Sequence, residues 1–209
     1  MPRTVNYIER DARRAAILQA AIEVFARQGL EATRLADIAA VVGVTHPTIL
    51  NYFASKDALF EAAALEPLQD FERALRPLAD EGLPTLVRRH VDMFMAHGPY
   101  LRMTQYILAQ RERFPALAAD LRAFVQRLHD DLQPLLVASG CTDDDASWRF
   151  WAYFSQLFGM ALVMDDTVSV RHAMTERACA MLGVPFESPP TLPDDVATVS
   201  PYCDRQGGH

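Results

Sequence analysis

Cysteine is scarce in this sequence, and long apolar runs are missing. Cys141, Cys179 and Cys203 lie far apart without CxxC spacing, which indicates neither a disulfide framework nor a zinc site. No apolar run reaches the roughly 18 residues that span a bilayer, so no membrane partner is expected. The first residues, MPRTVNYIERDARR, lack the apolar core of a signal peptide. We therefore expect a cytoplasmic protein.

The short motifs of common catalytic chemistry are also missing. The sequence contains no GxGxxG, GxxxxGK[ST] or GxSxG motif. His90, His97 and His129 do not have HExxH spacing, and the acidic residues 143–145 follow Thr142 as expected for a helix start. These absences argue against an enzyme, a cofactor and a metal site.

The apolar patterning favours helices throughout. Beyond residue 62, the apolar runs exceed ten residues and are rich in Ala, Leu, Arg, Gln and Met rather than in alternating β-branched residues. This predicts an all-α fold. One helix is expected over 55–79, with an N-cap at Ser55 and a break or kink near Pro67. Five more are expected over 85–97, 100–113, 116–138, 143–164 and 168–182.

Residues 33–53, TRLADIAAVVGVTHPTILNYF, resemble two short helices joined by a tight turn. Four apolar residues recur at the spacing of one buried helix face: Leu35, Ile38, Ala39 and Val42. Gly43 is the residue type that ends such a helix. Thr45 is a good N-cap for the next one, with a hydroxyl that can accept a backbone N–H, and Pro47 falls in its first turn.

The second helix is expected to start at about His46 and to turn Ile49 and Phe53 inward. The outward residues would be Thr45, His46, Pro47, Thr48, Asn51 and Tyr52. Short hydroxyls, an imidazole and apolar groups at a helix start can discriminate base edges in the major groove of DNA. Tyr52 and Lys56 are placed to contact phosphates. The alternative is a helical hairpin packed for stability alone.

A basic N-terminal arm precedes this unit. Its arginines are Arg3, Arg10, Arg13 and Arg14. They could reach the minor groove or phosphates, or they could belong to a solvated helix start neutralised by Glu9 and Asp11. The helix that follows carries an apolar stripe that would close a three-helix core: Ile17, Ala20, Ala21, Val24 and Phe25.

Residues 17–60 together resemble the DNA-binding domain of TetR-family transcriptional regulators. The resemblance rests on AAIEVF, Gly29, Thr33, Ile38-Ala39, Gly43-Val44-Thr45, Tyr52-Phe53, Ser55-Lys56-Asp57 and Leu59. It implies an all-helical homodimer that binds a palindromic operator in double-stranded DNA, with a C-terminal domain that binds a small-molecule inducer. Thr33 and Arg34 complete the candidate DNA contacts. Leu50 stands where the family commonly has an aromatic and Ala36 where it often has a polar residue, so the alternative is a ligand-binding protein whose DNA-binding head is weakened or lost.

The domains are expected to be a helix-turn-helix domain over 1–62, a helical ligand-binding and dimerisation domain over 63–183, and an extended tail over 184–209. The distribution of charge fits this division. Residues 1–62 carry seven basic and seven acidic side chains, so the net charge of −7 comes from the residues that follow them.

The helix over 146–164, ASWRFWAYFSQLFGMALVM, is apolar nearly all round. One face would meet the core and the other a second subunit, with Gly159 and Ala161 allowing close approach. The next helix would add Ala173, Ala178, Met181 and Leu182 to a four-helix interface. The alternative is one deep monomeric core.

Aromatic and methionine side chains suggest a pocket for the inducer. The candidate lining is Phe94, His97, Tyr100, Met103, Tyr106, Phe124, Trp151, Phe154 and Phe158. Ordinary core packing is the alternative for each of them. The sequence thus predicts a regulator, by family default a repressor, that a lipophilic or aromatic small molecule releases from its operator.

Overall fold

The chain folds into helices joined by short turns. The computed structural model describes residues 3–186, with side chains from residue 9 onward, and contains no strand within that range. The helices are α1 Arg3–Ala32, α2 Leu35–Val42, α3 His46–Leu50, α4 Lys56–Leu75, α5 Leu83–Ala96, α6 Gly98–Ala109, α7 Pro115–Ala138, α8 Asp143–Val163 and α9 Val168–Leu182. The predicted all-α architecture is confirmed. Across this same stretch, no helix is long and apolar enough to cross a membrane.

Helices α1, α2 and α3 share a small core with the start of α4. The predicted stripe of α1 is buried, as are Ile38 and Ala39 of α2, Ile49 of α3 and Phe53 after it. Phe60 of α4 closes this core by meeting the Phe25 ring edge-on, with 5.0 Å between centroids. We call these three helices the head.

Helix α4 connects the head to the rest of the chain. Ser55 is its N-cap, as predicted, and accepts the Ala58 N–H at 3.0 Å. Of the break or kink expected near Pro67, the break does not occur: the helix continues through Pro67 with buried residues on both sides. The helix ends at Leu75 rather than at residue 79. Arg76 adopts an extended conformation (φ −62°, ψ 140°) because it precedes Pro77, which disfavours helix at the preceding residue.

Helices α5 to α9 pack as a second bundle against α4. Pro84 and Pro99 lie in first turns, so α5 and α6 begin two residues earlier than predicted. Helix α6 ends at Ala109 instead of residue 113. Thr142 caps α8, and its hydroxyl accepts the Asp145 N–H at 3.3 Å.

Helix α8 buries one face and exposes another, as its composition predicts. Phe150, Tyr153 and Leu157 are fully buried, whereas Trp148 is 73% exposed and Val163 is 81% exposed. Part of the predicted interface faces the other way, because these residues fill the core of their own chain: Ala161, Ala178 and Leu182. Gly159, Ala173 and Met181 keep solvent contact.

Three predictions concern atoms that the structure leaves undescribed. Cys141 and Cys179 are free thiols, while Cys203 lies outside the described residues. The same holds for the predicted tail from residue 187 onward and for the side chain of Arg3.

Candidate nucleic-acid interface and internal cavity

The turn between α2 and α3 is fixed by Gly43. This residue lies in the left-handed region (φ 71°, ψ 33°), and a side chain built on it would meet nothing within 4 Å. Replacing it would therefore cost conformational strain rather than a steric clash. The Val44 N–H donates to Ala39 O at 3.0 Å and closes the turn. The turn thereby sets the angle between the two helices.

Helix α3 buries one side and presents its N-terminal side to solvent. Ile49 is 0% exposed, and Phe53 just beyond the helix is 5% exposed. Four of the predicted DNA contacts are exposed, and two are half-buried: Thr45, His46, Pro47 and Asn51, then Thr48 and Tyr52. Arg34, before α2, is exposed as well. We call this set of exposed and half-buried side chains the α3 face.

Two hydroxyls at the start of α3 are paired with each other. Thr45 Oγ1 and Thr48 Oγ1 lie 2.8 Å apart. Thr45 occupies the N-cap position as predicted, but its side chain accepts no backbone N–H. The reason is that Thr48 Oγ1 is its hydrogen-bonding partner instead. The pair still offers a donor and lone pairs to a base edge.

Thr33 and Lys56 were predicted to contact DNA, but the structure gives both side chains other partners. Thr33 is 1% exposed, and its hydroxyl donates to Gly29 O at 2.6 Å. The Lys56 ammonium donates to Leu30 O at 2.7 Å, Thr33 O at 3.0 Å and Glu31 O at 3.4 Å. An ammonium has three donors, and these carbonyls occupy them all. Both side chains therefore join α1 to the helices that follow it.

Arg14 also contacts α4, while its side chain stays partly exposed to solvent. Its guanidinium donates to both carboxylate oxygens of Glu66, at 2.6 and 2.5 Å, and lies 4.8 Å from the centre of the Phe53 ring. These charge-assisted hydrogen bonds lower the pKa of Glu66 and raise that of Arg14. Arg10 lies 6.0 Å from the Tyr52 ring centre. The role of Glu66 carried no signal in the sequence.

A second contact joins the head to α6. Gly29 interrupts α1 with a non-helical conformation (φ 74°, ψ 171°), and the Tyr106 ring lies 3.5 Å from where its Cβ would be. The Tyr106 hydroxyl donates to Glu31 Oε2 at 2.6 Å, and Arg113 forms an ion pair with the same carboxylate. We call this contact the α1–α6 junction.

A partly open cavity of about 150 Å³ lies between α4, α5, α6, α7 and α8. Twelve described residues line it: Leu68, Phe71, Phe94, Tyr100, Leu101, Thr104, Leu108, Leu121, Phe124, Val125, Phe154 and Phe158. Five of the nine predicted lining residues are among them: Phe94, Tyr100, Phe124, Phe154 and Phe158. Phe71 is the one aromatic among them that the sequence does not predict.

The other four predicted lining residues lie elsewhere, because helix direction turns them away. Tyr106 belongs to the α1–α6 junction, and Met103 is buried in packing. His97 Nδ1 donates to Met93 O at 2.8 Å, and its ring meets the Phe71 ring edge-on with 5.4 Å between centroids. Trp151 is 41% exposed and stacks on His129.

His90 forms a buried polar connection between helices. Its Nε2 lies 2.6 Å from Leu75 O and its Nδ1 lies 2.7 Å from the Tyr153 hydroxyl. A carbonyl requires a donor, so Nε2 carries the proton and Nδ1 accepts from Tyr153. Burial lowers the pKa of His90 to about 4 and raises that of Tyr153. A neutral histidine therefore ties α4, α5 and α8 together.

Comparison with known proteins gives one consistent answer. Residues 17–63 match the family model for bacterial regulatory proteins of the tetR family. The chain is 34% identical over 142 residues to the HTH-type transcriptional repressor Rv3405c of Mycobacterium tuberculosis (strain ATCC 25618 / H37Rv), covering 66% of this chain and 72% of that protein. It is 40% identical over 75 residues to the HTH-type transcriptional regulator RutR of Escherichia coli (strain K12), covering 32% and 35%.

Solved structures show the same fold. The crystal structure of a TetR-like transcriptional regulator from Rhodococcus sp. RHA1 is similar with a TM-score of 0.63 and 24% identity, covering 88% of this chain and 98% of that one. At this identity the similarity concerns the arrangement of helices. It extends over the head and the second bundle together.

Proposed function

Because the chain belongs to the tetR family of bacterial regulatory proteins and is a DNA-binding transcriptional regulator rather than an enzyme, we propose that it is a ligand-released repressor. In this proposal two copies bind a palindromic operator in double-stranded DNA. A lipophilic or aromatic small molecule then enters each second bundle and lowers the affinity for the operator. The repressor Rv3405c of M. tuberculosis supports the direction of control. We place the domain boundary at residue 62.

The α3 face is the observation that carries this proposal. It combines exposed hydroxyl and imidazole groups at the start of α3, and an amide just past its end, on a helix whose other side is buried. Such a helix start can enter the major groove and contact base edges. The proposed contacts are Arg34, Thr45, His46, Pro47, Thr48, Asn51 and Tyr52. Lys56 and Thr33 act as positioning residues, because their side chains hold α1 against the start of α2 and α4.

The exposed side of α8 supports a homodimer. Trp148, Ser155, Gly159 and Val163 are exposed and recur at the spacing of one helix face. A side chain built on Gly159 would meet nothing within 4 Å, so a second helix could approach closely there. We propose this face, together with exposed residues of α9 such as Met181, as the subunit interface. Two heads related by a two-fold axis would match a palindromic operator.

The cavity and the α1–α6 junction support the ligand response. Helix α6 contributes Tyr100, Leu101, Thr104 and Leu108 to the cavity and places Tyr106 against the end of α1. A ligand that moved α6 would therefore act directly on the head. The change in operator affinity would depend on how much more tightly the ligand binds the moved position of α6 than the original one.

The proposal is tested by selecting bound fragments from a random DNA library with the purified full chain, at a stated salt concentration. Recovery of an inverted repeat is the expected result, and its affinity should fall as salt is raised. Recovery of no sequence above background would contradict the proposal. It would favour the alternative suggested by Leu50 and Ala36, in which the head no longer binds DNA and the protein retains ligand binding alone.

A further inference from the structure

We propose that the cavity selects an uncharged aromatic molecule of about one ring. This inference rests on the proposed ligand response for its biological meaning, but binding itself can be measured without DNA. It follows from three properties of the cavity: its polarity, its volume and the arrangement of its rings.

The polarity of the wall excludes a charged ligand. None of the twelve described lining residues carries a charge, and the surface they expose to the cavity is almost wholly apolar. The two hydroxyls among them are already donating, Tyr100 to Ala64 O and Thr104 to Leu101 O, each at 2.8 Å. A carboxylate or an ammonium would lose its water and find no opposite charge. A neutral ligand loses little by entering.

The volume limits the size of the ligand. The cavity measures about 150 Å³. An apolar cavity of about this volume, engineered into another protein, stays dry and takes up benzene. A two-ring compound would extend beyond this volume toward the open side of the cavity and lose contact with the apolar wall. One ring with a small substituent fits the space as it stands.

The arrangement of rings favours an aromatic over an aliphatic ligand. Phe71 meets Phe94 at 5.6 Å and 65° and Phe124 at 6.2 Å and 66°, while Phe94 meets Phe154 at 5.8 Å and 85°. These edge-to-face pairs lie around the cavity. Such a cluster presents ring edges and faces to its interior, and a planar aromatic ligand extends the same geometry.

Calorimetry and thermal unfolding of the full chain with four probes test the inference. The probes are toluene, benzoate, benzylamine and naphthalene. We expect toluene to bind with a negative heat-capacity change and to raise Tm. Benzoate and benzylamine should bind at least about a hundredfold more weakly, because each would be buried without a counter-charge. Tighter binding of a charged probe, or of naphthalene, than of toluene would overturn the inference, as would no toluene binding.

A filling variant locates the site. Leu121 lines the cavity and is 4% exposed, so Leu121→Phe should occupy the space and weaken toluene binding at least about tenfold. The matched control is Leu78→Phe, since Leu78 is 59% exposed and away from the lining. Equal toluene binding by both variants would contradict the location. If Leu121→Phe fails to fold, the selectivity among the four probes on the unaltered chain still decides the question.

Failure of this inference can be told apart from failure of the proposed function. Toluene binding without any change in operator affinity would leave the inference standing and remove the ligand response. Operator binding without binding of any one-ring probe would leave the DNA-binding function and overturn the inference.

Discussion

The head and the cavity are built in opposite ways. The α3 face comes from a short stretch of sequence, is polar and exposed, and depends on one turn at Gly43. The cavity draws residues from five helices across ninety-one positions, from Leu68 to Phe158, and its wall is apolar and mostly buried. A local surface is fixed by local sequence, whereas an interior space is fixed by how distant helices pack. The two regions should therefore respond differently to substitution, acid and ligand.

Truncating a buried side chain in each region gives the largest contrast. Ile49 is fully buried and anchors α3 in a small core, whereas Leu121 lines the cavity. We expect each of Ile49→Ala and Leu121→Ala to lower the free energy of unfolding by about 3 kcal/mol. The Ile49 variant should lose operator binding, because α3 is released. The Leu121 variant should keep it. Urea unfolding and fluorescence anisotropy with labelled operator measure both quantities.

A result in which the two variants lose operator binding equally would break this comparison. It would show that the head and the second bundle unfold as one cooperative unit. Loss of binding by Leu121→Ala alone would be a stronger contradiction, because it would place the control of α3 in the cavity wall.

Mild acid should weaken the second bundle rather than the head. The pKa of His90 is about 4 in the folded chain and 6.5 when unfolded, so the unfolded state binds more protons between these values. Stability therefore falls as the pH falls from 6.5. Between pH 6.5 and pH 5 the loss should be about 1 to 2 kcal/mol, because the unfolded histidine is only half protonated at pH 6.5. Urea unfolding at a series of pH values measures this slope.

The matched control for the acid prediction is His90→Gln. Glutamine can donate to Leu75 O but does not titrate, so the slope between pH 6.5 and pH 5 should shrink. The acidic groups whose pKa is lowered, among them Glu66, Glu72 and Glu81, act below their ordinary values and thus below this window. An unchanged slope in His90→Gln would show that His90 is not the titrating group.

The sequence predicts the head better than the cavity for a physical reason. Gly43, the buried pair Ile49 and Phe53, and the N-cap at Ser55 all follow from residue type and spacing within one turn. The helices of the second bundle also follow from the sequence; α9, for example, runs over Val168–Leu182 as predicted. Errors at helix ends arise where proline acts on its neighbour, as at Arg76.

The partners of individual side chains could not be predicted, because they depend on contacts between distant segments. Lys56 lies at the start of a helix, where a phosphate contact is expected, yet its ammonium binds carbonyls at and just after the end of α1. Tyr106 and Trp151 are aromatic like the true lining residues, and helix rotation decides that they face elsewhere. Composition identifies the kind of residue that lines a cavity without saying which residues do.

Removing one hydroxyl from the α3 face should change sequence preference. Thr48→Ala deletes a group that pairs with Thr45 at 2.8 Å on the exposed start of α3. We expect a loss of about 1.5 kcal/mol in discrimination between the preferred operator and its best single-base variant. Competition anisotropy with both DNAs measures it, and fold stability should change little because Thr48 is half-buried at the surface. Equal losses for the two DNAs would mean that Thr48 does not contact a base.

The smallest expected effects come from removing one tyrosine hydroxyl at the α1–α6 junction and one at the α3 face. They should distinguish the ligand response from DNA binding. Tyr106→Phe removes the 2.6 Å hydrogen bond to Glu31 while keeping the ring against Gly29, so about 1 kcal/mol of contact between α6 and the head is lost. Operator affinity without ligand should stay nearly unchanged, but its decrease on adding toluene should shrink about fivefold.

Tyr52→Phe is the matched control, since its hydroxyl lies beside α3 and is proposed to contact phosphate. It should weaken operator binding about fivefold for all sequences and leave the toluene response intact. Anisotropy titrations with and without toluene measure both variants, and if they exchanged these results, the junction and the α3 face would have to exchange the roles proposed for them.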